Sequence, residues 1–361
     1  MESESSNLFE TVCGLAAEYD ASDILLHEGQ PAVLRIRGEL VPIEGSIATT
    51  ADFVWLRKVC KTADDLLDFD GSYVAPSGDR YRVNILRQMG RHATVMRRIR
   101  GNVPDMEALG LPVDVLQGWL SNAHGIILIA GRTGSGKSTT LASCINWINN
   151  KDRKHIVTIE DPVEYVFTPA KSVFTQREVG LDTPSFAQGL KRSLRQCPDI
   201  ILVGEIRDAD TAMTALQAAE TGHLVLSTVH AASCSEVVER IQNVFPVEQR
   251  DGLLRIFSQC LIGSMCQTLL PAVDGGLALA TEYFSNQGLA PKLIAEGRIP
   301  ELVDFIQRSG KETGKRLIDS LAELCQTGRI TQDTAMSFAP SPQELQRVLQ
   351  GVNSGSGVSR R

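Results

Sequence analysis

Short apolar runs alternate with amphipathic segments through the middle of the chain. The runs cover residues 125–130, 156–159, 200–203 and 224–227, and almost every side chain in them is apolar. Strands that are buried on both faces have this composition, and the amphipathic helices between them cover a parallel sheet. The pattern therefore predicts an α/β domain built on a parallel sheet, which we place at residues 113–270.

The first hundred residues follow the period-2 alternation of half-buried strands. Apolar side chains alternate with charged or amide ones in residues 32–37 and 80–87, and residues 93–99 repeat the pattern more loosely. The other elements predicted here are an apolar helix over 9–19, a strand over 23–27 and a hairpin turn at Gly38-Glu39. We expect residues 1–100 to form a small α/β domain with an open antiparallel sheet.

Proline and glycine mark the expected boundaries. Residues 101–112 contain two prolines and two glycines, which break any periodicity, and this segment is the predicted interdomain linker. Beyond Pro271 the pattern turns helical, so residues 271–350 are predicted to be a helical subdomain. One apolar stripe within it contains Leu317, Ile318, Leu321, Leu324 and Cys325. The Gly/Ser-rich residues 351–361 are predicted to be a flexible tail.

Composition supports a globular protein of more than one domain. The chain has 361 residues, of which 43% are hydrophobic and 22% charged, and it exceeds the usual size of a single core. A net charge of -7 without a long Lys/Arg run argues against an extended nucleic-acid surface. The chain opens without a basic region followed by an apolar stretch, and no apolar run reaches the roughly 20 residues of a membrane helix. We expect a cytoplasmic protein without direct nucleic-acid binding.

The eight cysteines do not form a recognisable framework. They are scattered along the chain without a Cys-x-x-Cys pair, so neither a zinc ribbon nor a disulfide scaffold is predicted. We expect most of them to be buried as small hydrophobic residues.

The most specific motif follows the first apolar strand of the central domain. Residues 131–138 match the full pattern G-x-x-x-x-G-K-[ST] between a predicted strand and a predicted helix. Its glycines let backbone N–H groups point at phosphate oxygens, and the helix adds the positive end of its dipole. A chance glycine-rich turn is the alternative. The predicted ATP-binding residues are Gly131, Arg132, Thr133, Gly134, Ser135, Gly136, Lys137, Ser138 and Thr139, with Lys137 along the β/γ-phosphates and Ser138 on Mg²⁺.

Two acidic positions follow other predicted core strands. Glu205 comes just after the strand 200–203, where a carboxylate can hold the water shell of Mg²⁺; a solvated helix cap is the alternative. Residues 158–164 contain the carboxylates of Glu160, Asp161 and Glu164 at the end of another predicted strand, where a carboxylate could polarise the attacking water. For this segment a simple turn initiated by Asp161-Pro162 is the alternative.

Two histidines bracket the fourth apolar strand. His223 precedes the strand and His230 follows it. A neutral imidazole can bond a γ-phosphate or a catalytic carboxylate and so report hydrolysis, but both histidines could equally be satisfied structural groups.

Taken together, residues 131–138, 158–164, 195–208 and 220–230 resemble the Walker A, Asp, Walker B and His boxes of the type II/IV secretion ATPase superfamily, in the order in which that family has them. Segments of the first hundred residues, Ser22-Asp23-Ile24 and residues 80–84, are also similar to family segments. The resemblance implies a PAS-like domain joined to a RecA-like domain, ATP hydrolysis with Mg²⁺, and a ring of six subunits.

The resemblance also implies roles for single residues. Glu160 takes the place of the catalytic glutamate of the family, Glu205 that of the Walker B glutamate, and His223 and His230 those of the His-box histidines. Arginines complete the nucleotide site in the family, and the candidates in this chain are Arg82, Arg97, Arg192, Arg195 and Arg207. An arginine fork suits phosphate, although interface or surface ion pairs are the alternative for these arginines.

Within the family the chain resembles the retraction ATPases of type IV pili. Residues 173–183 resemble both the PilT-like and the PilU-like branch, whereas residues 291–298 are closer to the accessory, PilU-like branch. The expected partners are five further copies of the chain, an inner-membrane pilus platform protein and a paralogous retraction ATPase, with the chain peripheral at the inner face of the inner membrane. Two other functions stay open: a type IV secretion ATPase that exports DNA or protein, and a weakly hydrolysing nucleotide-binding scaffold in a mixed motor.

Overall fold

The computed structural model describes residues 5–36, 38–60, 67–99, 101, 103–308, 310 and 313–351. Two compact units make up the chain: Met1–Asn102 with Pro162–Thr168, and Val103–Asp161 with Pro169–Arg361. Apart from Gly351, the predicted flexible tail lies outside the described residues, and so does Arg37 at the end of a predicted strand. The predicted limits of the domains and of the linker stay predictions.

The first unit contains one antiparallel sheet and two helices in its described part. Its elements are α1 Ser5–Glu18, β1 Asp23–His27, β2 Pro31–Ile36, β3 Glu39–Ile47, α2 Thr50–Val59, β4 Asp68–Val74, β5 Arg80–Gln88 and β6 Arg91–Ile99. The strands follow the order β3-β2-β1-β6-β5-β4, and every neighbouring pair is antiparallel. The antiparallel sheet expected for this region is confirmed.

The two helices bury one face of this sheet. Phe9 of α1 and Phe53 of α2 are both 1% exposed and belong to the same apolar cluster as Leu34 of β2. The start of α2 is fixed by Asp52, whose carboxylate accepts hydrogen bonds from the backbone N–H and the hydroxyl of Thr49. Elements that the pattern did not predict are β3, whose residues are mostly exposed, β4 and α2.

The second unit holds the larger sheet. Its elements are α3 Val113–Leu120, β7 Gly125–Gly131, α4 Lys137–Lys151, β8 His155–Glu160, β9 Val173–Glu178, α5 Phe186–Ser193, β10 Ile200–Val203, α6 Ala209–Glu220, β11 Leu224–Val229, α7 Cys234–Asn243, a 3-10 turn at Val247–Gln249, α8 Arg250–Cys260, β12 Leu261–Pro271, β13 Leu277–Ser285, α9 Ala290–Ala295, α10 Ile299–Arg308, β14 Gly314–Lys315, α11 Leu317–Gln326, α12 Gln332–Phe338 and α13 Pro342–Leu349.

The strands of this sheet follow the order β14-β13-β12-β7-β11-β10-β8-β9. From β12 to β9 all neighbours are parallel, whereas β13 and β14 pair antiparallel at the other side. Every residue of β7, β10 and β11 is buried, because helices cover both faces. The parallel sheet and its four predicted central strands are confirmed.

The region after Pro271 is more than a helical subdomain. Strand β13 was not predicted, and it forms the base on which the carboxy-terminal helices pack. Ala278 and Ala280 of this strand share a buried cluster with Ile318 and Leu321 of α11. Small residues at these positions bring the helix close to the strand, and a run with such short side chains lacks the alternation that would reveal a strand. The predicted apolar stripe of α11 is confirmed, since its other members pack on this cluster.

Most cysteines are buried, as expected. All eight are free thiols; Cys197 is exposed, Cys325 is partly buried and the other six are buried. Burial raises the pKa of the Cys144 thiol to about 12, which keeps it protonated and unreactive. Among the described residues, the helices are all too short or too polar to cross a membrane.

A tryptophan fixes α3 on the sheet. Trp119 is 4% exposed, and its indole N–H donates to Ser285 Oγ at 3.0 Å. Its ring covers Gly263 of β12 so closely that a Cβ there would lie 2.3 Å from Trp119 Cζ2. The packing of α3 therefore requires glycine at this position of the strand.

Replacement of Gly263 by alanine tests this contact. We expect Gly263→Ala to destabilise the protein by about 1–3 kcal/mol, since a buried and hydrogen-bonded indole must move to admit the methyl group. Denaturant unfolding measures the change. The matched control is Gly118→Ala in α3, where the added Cβ would meet no described atom within 4 Å beyond its chain neighbours and the helix's own backbone, so its stability should be unchanged or higher. Equal stability of the two variants would contradict the packing argument.

Candidate functional site

A glycine-rich loop connects the central strand of the larger sheet to a long helix. Strand β7 ends at Gly131 and α4 begins at Lys137, as the motif predicted. The φ angles of Gly131, Gly134 and Gly136 are 147°, 79° and 85°, values that side chains other than glycine rarely adopt. The loop thus has the backbone that gathers N–H groups around an anion at a helix amino end.

The neighbouring strand β12 restricts the loop further. A Cβ at Gly131 would lie 2.3 Å from Ser135 Oγ and 2.7 Å from the carbonyl oxygen of Gln267. Ser135 is 6% exposed, and its hydroxyl has no hydrogen-bond partner among the described residues. A buried hydroxyl of this kind fits a ligand with acceptor oxygens inside the loop.

Lys137 directs its charge into the same loop. Its side chain is 9% exposed, and Nζ donates to the carbonyl oxygens of Gly131 at 3.0 Å and Arg132 at 3.1 Å. These carbonyl oxygens hold the ammonium group at the start of the loop. A buried cation next to aligned N–H groups is suited to a polyphosphate.

The strand register gathers the predicted catalytic residues at one edge of the sheet. The strands β8, β10, β11 and β7 are neighbours and parallel, so their carboxyl ends lie side by side. Glu160 ends β8, Glu205 follows β10 by two residues, and His230 follows β11 directly. The loop at Gly131 leaves β7 at this same edge.

Glu205 is the best-supported carboxylate of this edge. Its side chain is 14% exposed; Oε1 lies 3.1 Å from His230 Nε2, and Oε2 accepts a hydrogen bond of 2.7 Å from Arg207 Nε. Arg207 also lies 3.8 Å from the carboxylate of Asp161, so it bridges two acidic positions. Glu205 does not cap the following helix, which was the alternative to a metal role. Asp208 caps α6 instead, by accepting a hydrogen bond from the backbone N–H of Thr211.

Glu160 is held at the next strand end. Its Oε1 accepts hydrogen bonds from the hydroxyl of Thr158 at 2.7 Å and from the amide of Gln176 at 3.4 Å. The carboxylate is therefore oriented by β8 itself and by the edge strand β9. Its role as the residue that polarises water stays a prediction.

His223 does not join this edge within the chain. It precedes β11, and its Nδ1 lies 3.0 Å from the carbonyl oxygen of Ala218 at the end of α6. A six-residue strand separates it from His230, roughly 20 Å at the usual rise per residue. Arg192 and Arg195 are exposed at and just beyond the end of α5, before β10, and are likewise distant from the carboxyl ends of the strands.

Arg82 and Arg97 lie in the first unit. They are direct cross-strand neighbours on β5 and β6, and Arg97 Nε donates to the buried carboxylate of Asp23 at 2.7 Å. With Arg98 they line a cavity of about 380 Å³ in that unit. Two adjacent guanidinium groups on one sheet face can attract an anion, and their part in a nucleotide site stays a prediction.

The sequence did not reveal the residues on the other side of the loop. A cavity of about 390 Å³ adjoins it, and its lining includes Gly136, Thr139, Thr140, Gln267 and Leu269. Gln267 is 2% exposed, its Nε2 donates to Thr140 Oγ1 at 2.7 Å, and its Oε1 has no partner among the described residues. Gln267 and Leu269 belong to β12, which no motif marks and which only its pairing with β7 places here.

The side chains at this edge fit a metal that arrives with a phosphate ligand. In the part of the chain that the structure describes, no group of three or more His, Cys, Asp or Glu residues could hold a metal ion by itself. Ser138 is partly buried in the first turn of α4, and Glu205 is positioned at the strand edge. Mg²⁺ typically keeps several waters and binds through few protein groups together with phosphates, as this set would allow.

The model for the type II/IV secretion system protein family matches residues 16–293. The chain belongs to this family. It is 36% identical to the type IV pilus retraction ATPase PilT of Pseudomonas aeruginosa over 336 residues, which cover 91% of this chain and 97% of PilT. It is 33% identical to the type IV pilus ATPase PilU of the same species over 349 residues, which cover 95% of this chain and 91% of PilU.

A solved structure supports the same assignment. The crystal structure of the pilus retraction motor PilT with bound ADP matches with a TM-score of 0.85 and 36% identity, covering 94% of this chain and 98% of that one. The protein is thus an ATPase of this family, with a PAS-like amino-terminal domain and a RecA-like ATPase domain that ends in a helical part. The predicted family, fold class and enzyme class are confirmed, whereas the nearness of residues 291–298 to the PilU-like branch stays a prediction.

The two acidic strand ends give a test of the site. We expect Glu205→Gln and Glu160→Gln each to lower ATP turnover by about 100-fold or more, because each removes a carboxylate charge that is predicted to act on the metal or on the attacking water. Phosphate release by the purified variants measures the effect. Both variants should unfold at the same temperature as the wild type, and so should the control Glu220→Gln at the exposed end of α6, with normal turnover. Near-normal turnover of either site variant would remove that residue from the mechanism.

Proposed function

We propose that the chain is an ATP-hydrolysing motor subunit that powers the retraction of a type IV pilus. The observation that carries this proposal is the shared edge of Glu160, Glu205, His230 and the glycine loop, in a chain that aligns with PilT over nearly its whole length. The side chains at this edge would carry out ATP hydrolysis. The names of the relatives indicate that a type IV pilus motor would use it.

The triphosphate is proposed to lie in the loop of residues 131–138. Lys137 would contact the β/γ-phosphates, Ser138 would hold Mg²⁺, and the hydroxyl of Ser135 would donate to a phosphate oxygen. Base and ribose would enter the adjoining cavity, which Gln267 lines and where its buried Oε1 has no partner among the described residues. Mg²⁺ would neutralise charge that develops on the phosphates during hydrolysis.

The carboxylates divide the remaining work. Glu160 is proposed to polarise the attacking water, and Glu205 to hold the water shell of the metal. An ionised carboxylate has about four lone-pair positions, and His230 and Arg207 engage one on each oxygen of Glu205. Glu205 can therefore accept from metal-bound water while both partners stay in place, which lets His230 sense the nucleotide through Glu205.

Six copies are proposed to form a ring, with sites completed between neighbouring subunits. This arrangement gives a role to residues that lie away from the edge in one chain, namely His223, Arg82, Arg97, Arg192 and Arg195. The proposed partners are an inner-membrane pilus platform protein and a paralogous retraction ATPase, with the ring in the cytoplasm against the inner membrane. The names of the relatives favour retraction over DNA or protein export and over a weakly hydrolysing scaffold in a mixed motor.

Removal of the Lys137 ammonium group tests the phosphate site. Lys137→Ala should reduce ATP turnover below about 1% of the wild-type rate, because the buried cation that faces the β/γ-phosphates is lost. Steady-state phosphate release and the thermal unfolding temperature give the two readouts. Retained turnover in a folded variant would refute the assigned site.

Retraction itself requires a cellular measurement. In a bacterium whose own retraction ATPases are deleted, the wild-type chain should restore twitching, and Lys137→Ala should not. Twitching only after co-expression of a PilT-like paralogue would identify an accessory motor. Stimulation of the ATPase by DNA, with no recovery of twitching under either condition, would favour the export function instead.

A further inference from the structure

A carboxylate outside the nucleotide edge reaches the segment that carries His230. Glu282 lies on β13, partly buried, and its Oε1 accepts a hydrogen bond of 2.6 Å from the backbone N–H of Cys234. Cys234 is the first residue of α7, and the four residues 230–233, here called the His230 loop, separate that helix from β11. Glu282 therefore fixes the end of the His230 loop that is farther from the strand.

The same carboxylate also lies beside the amino end of a second helix, α11. The backbone N–H of Leu317, the first residue of α11, lies close enough to Glu282 to lower the pKa of its carboxyl, and both residues line one cavity. The residue that precedes α11, Arg316, offers no side-chain cap. Because the first amides of a helix lack partners within it, one acidic side chain here accepts a hydrogen bond from the start of α7 and faces the amino end of α11.

The charge balance suits this bridge. Burial raises the pKa of the Glu282 carboxyl, and the nearby backbone N–H groups of Cys234 and Leu317 oppose that rise. Two helix amino ends supply partial positive charge to a carboxylate that has left bulk water. Loss of this carboxylate would therefore take a hydrogen-bond acceptor from the N–H of Cys234 and a negative charge from the amino end of α11.

Other contacts hold the rest of the His230 loop. Cys266 Sγ donates to the carbonyl oxygen of Ala231 at 3.4 Å, and Glu236 accepts from the N–H of Ala232 at 2.7 Å. Cys266 is the direct cross-strand neighbour of Glu282 on β12. The loop is therefore bound to two adjacent strands, and at its other end His230 contacts Glu205 at 3.1 Å.

We propose that Glu282 is a positioning residue that joins the amino ends of α7 and α11 and thereby sets the place of His230 against Glu205. The inference rests on the proposed role of the nucleotide edge in hydrolysis. It gives the carboxy-terminal helices a physical connection to that edge, since a movement of α11 changes the electrostatic surroundings of the carboxylate that anchors the His230 loop. In the ring, α11 would pass forces from outside the site to the Glu205–His230 pair.

Glu282→Gln is the informative variant. A glutamine keeps the shape of the side chain but offers a single acceptor oxygen. It also lacks the negative charge that strengthens the contacts with the N–H groups of Cys234 and Leu317. We expect kcat for ATP to fall about tenfold, with KM within about twofold of the wild-type value, because the phosphate loop is untouched. The matched control is Glu344→Gln, which removes a charged partner of Arg316 beside α11 but does not reach the His230 loop; its kcat should stay within about twofold.

A double variant separates positioning from general stability. If Glu282 acts through His230, adding Glu282→Gln to His230→Ala should lower kcat less than about twofold further, since there is no imidazole left to misplace. Reductions that multiply would overturn the proposal, and so would a Glu282→Gln enzyme with wild-type kcat. Glu282→Asp keeps the charge but shortens the reach, and its kcat should also fall. Failure of both Glu282 variants to fold would assign Glu282 to stability alone and overturn the positioning role.

Hydrogen exchange tests the bridge independently of turnover. In Glu282→Gln, the backbone amides of residues 230–236 and of residues 315–320 should both exchange faster than in the wild type. In Glu344→Gln only the second segment should change. Wild-type protein without ATPase activity would refute the proposed function, yet this exchange pattern would still decide whether Glu282 joins the two helices; faster exchange in only one segment would show that it does not.

Discussion

The chemistry of this protein depends on parallel register. A parallel strand delivers its carboxyl end to the same edge as its neighbours, so residues far apart in sequence meet there. Glu160 ends β8, Glu205 follows β10 and His230 follows β11, and they reach the same edge because Ile159 pairs with Val203, which in turn pairs with Ser227. A shift of one residue in any of these strands would displace the predicted site residue along the strand direction and turn the buried strand residues to the other face of the sheet.

Burial fixes that register. Every residue of β7, β10 and β11 is buried, so a shifted strand gains no alternative partner and loses its hydrogen bonds inside an apolar layer. The edge can therefore present charged residues in an ordered arrangement, because the apolar layer beneath them has one low-energy packing. At Gly131 the constraint is steric as well, since β12 and Ser135 leave no space for a Cβ.

The sequence was most informative where one local pattern determines one structure. The all-apolar strands and the motif at 131–138 were predicted in type and place, because the local sequence alone identifies each of them without knowledge of the segments packed against it. Gln267 and Glu282 were not predicted. They lie on β12 and β13, and only the pairing of these strands with β7 and with each other brings the two residues near the site. His223 and His230 show the same limit: the motif contains both, whereas the length of β11 decides that only His230 reaches Glu205.

The Glu205 cluster combines an adjustable contact with a stable one. Arg207 is 57% exposed, so its ion pair with Glu205 is screened by water and contributes little, on the order of 0–1 kcal/mol. The contact to His230 is anchored differently, because the His230 loop is attached to β12 and β13 through Cys266 and Glu282. Arg207 can therefore leave Glu205 at little cost, whereas displacement of the His230 loop backbone disturbs its contacts with β12 and β13. Of the two partners, His230 is thus the one whose movement a distant part of the protein would detect.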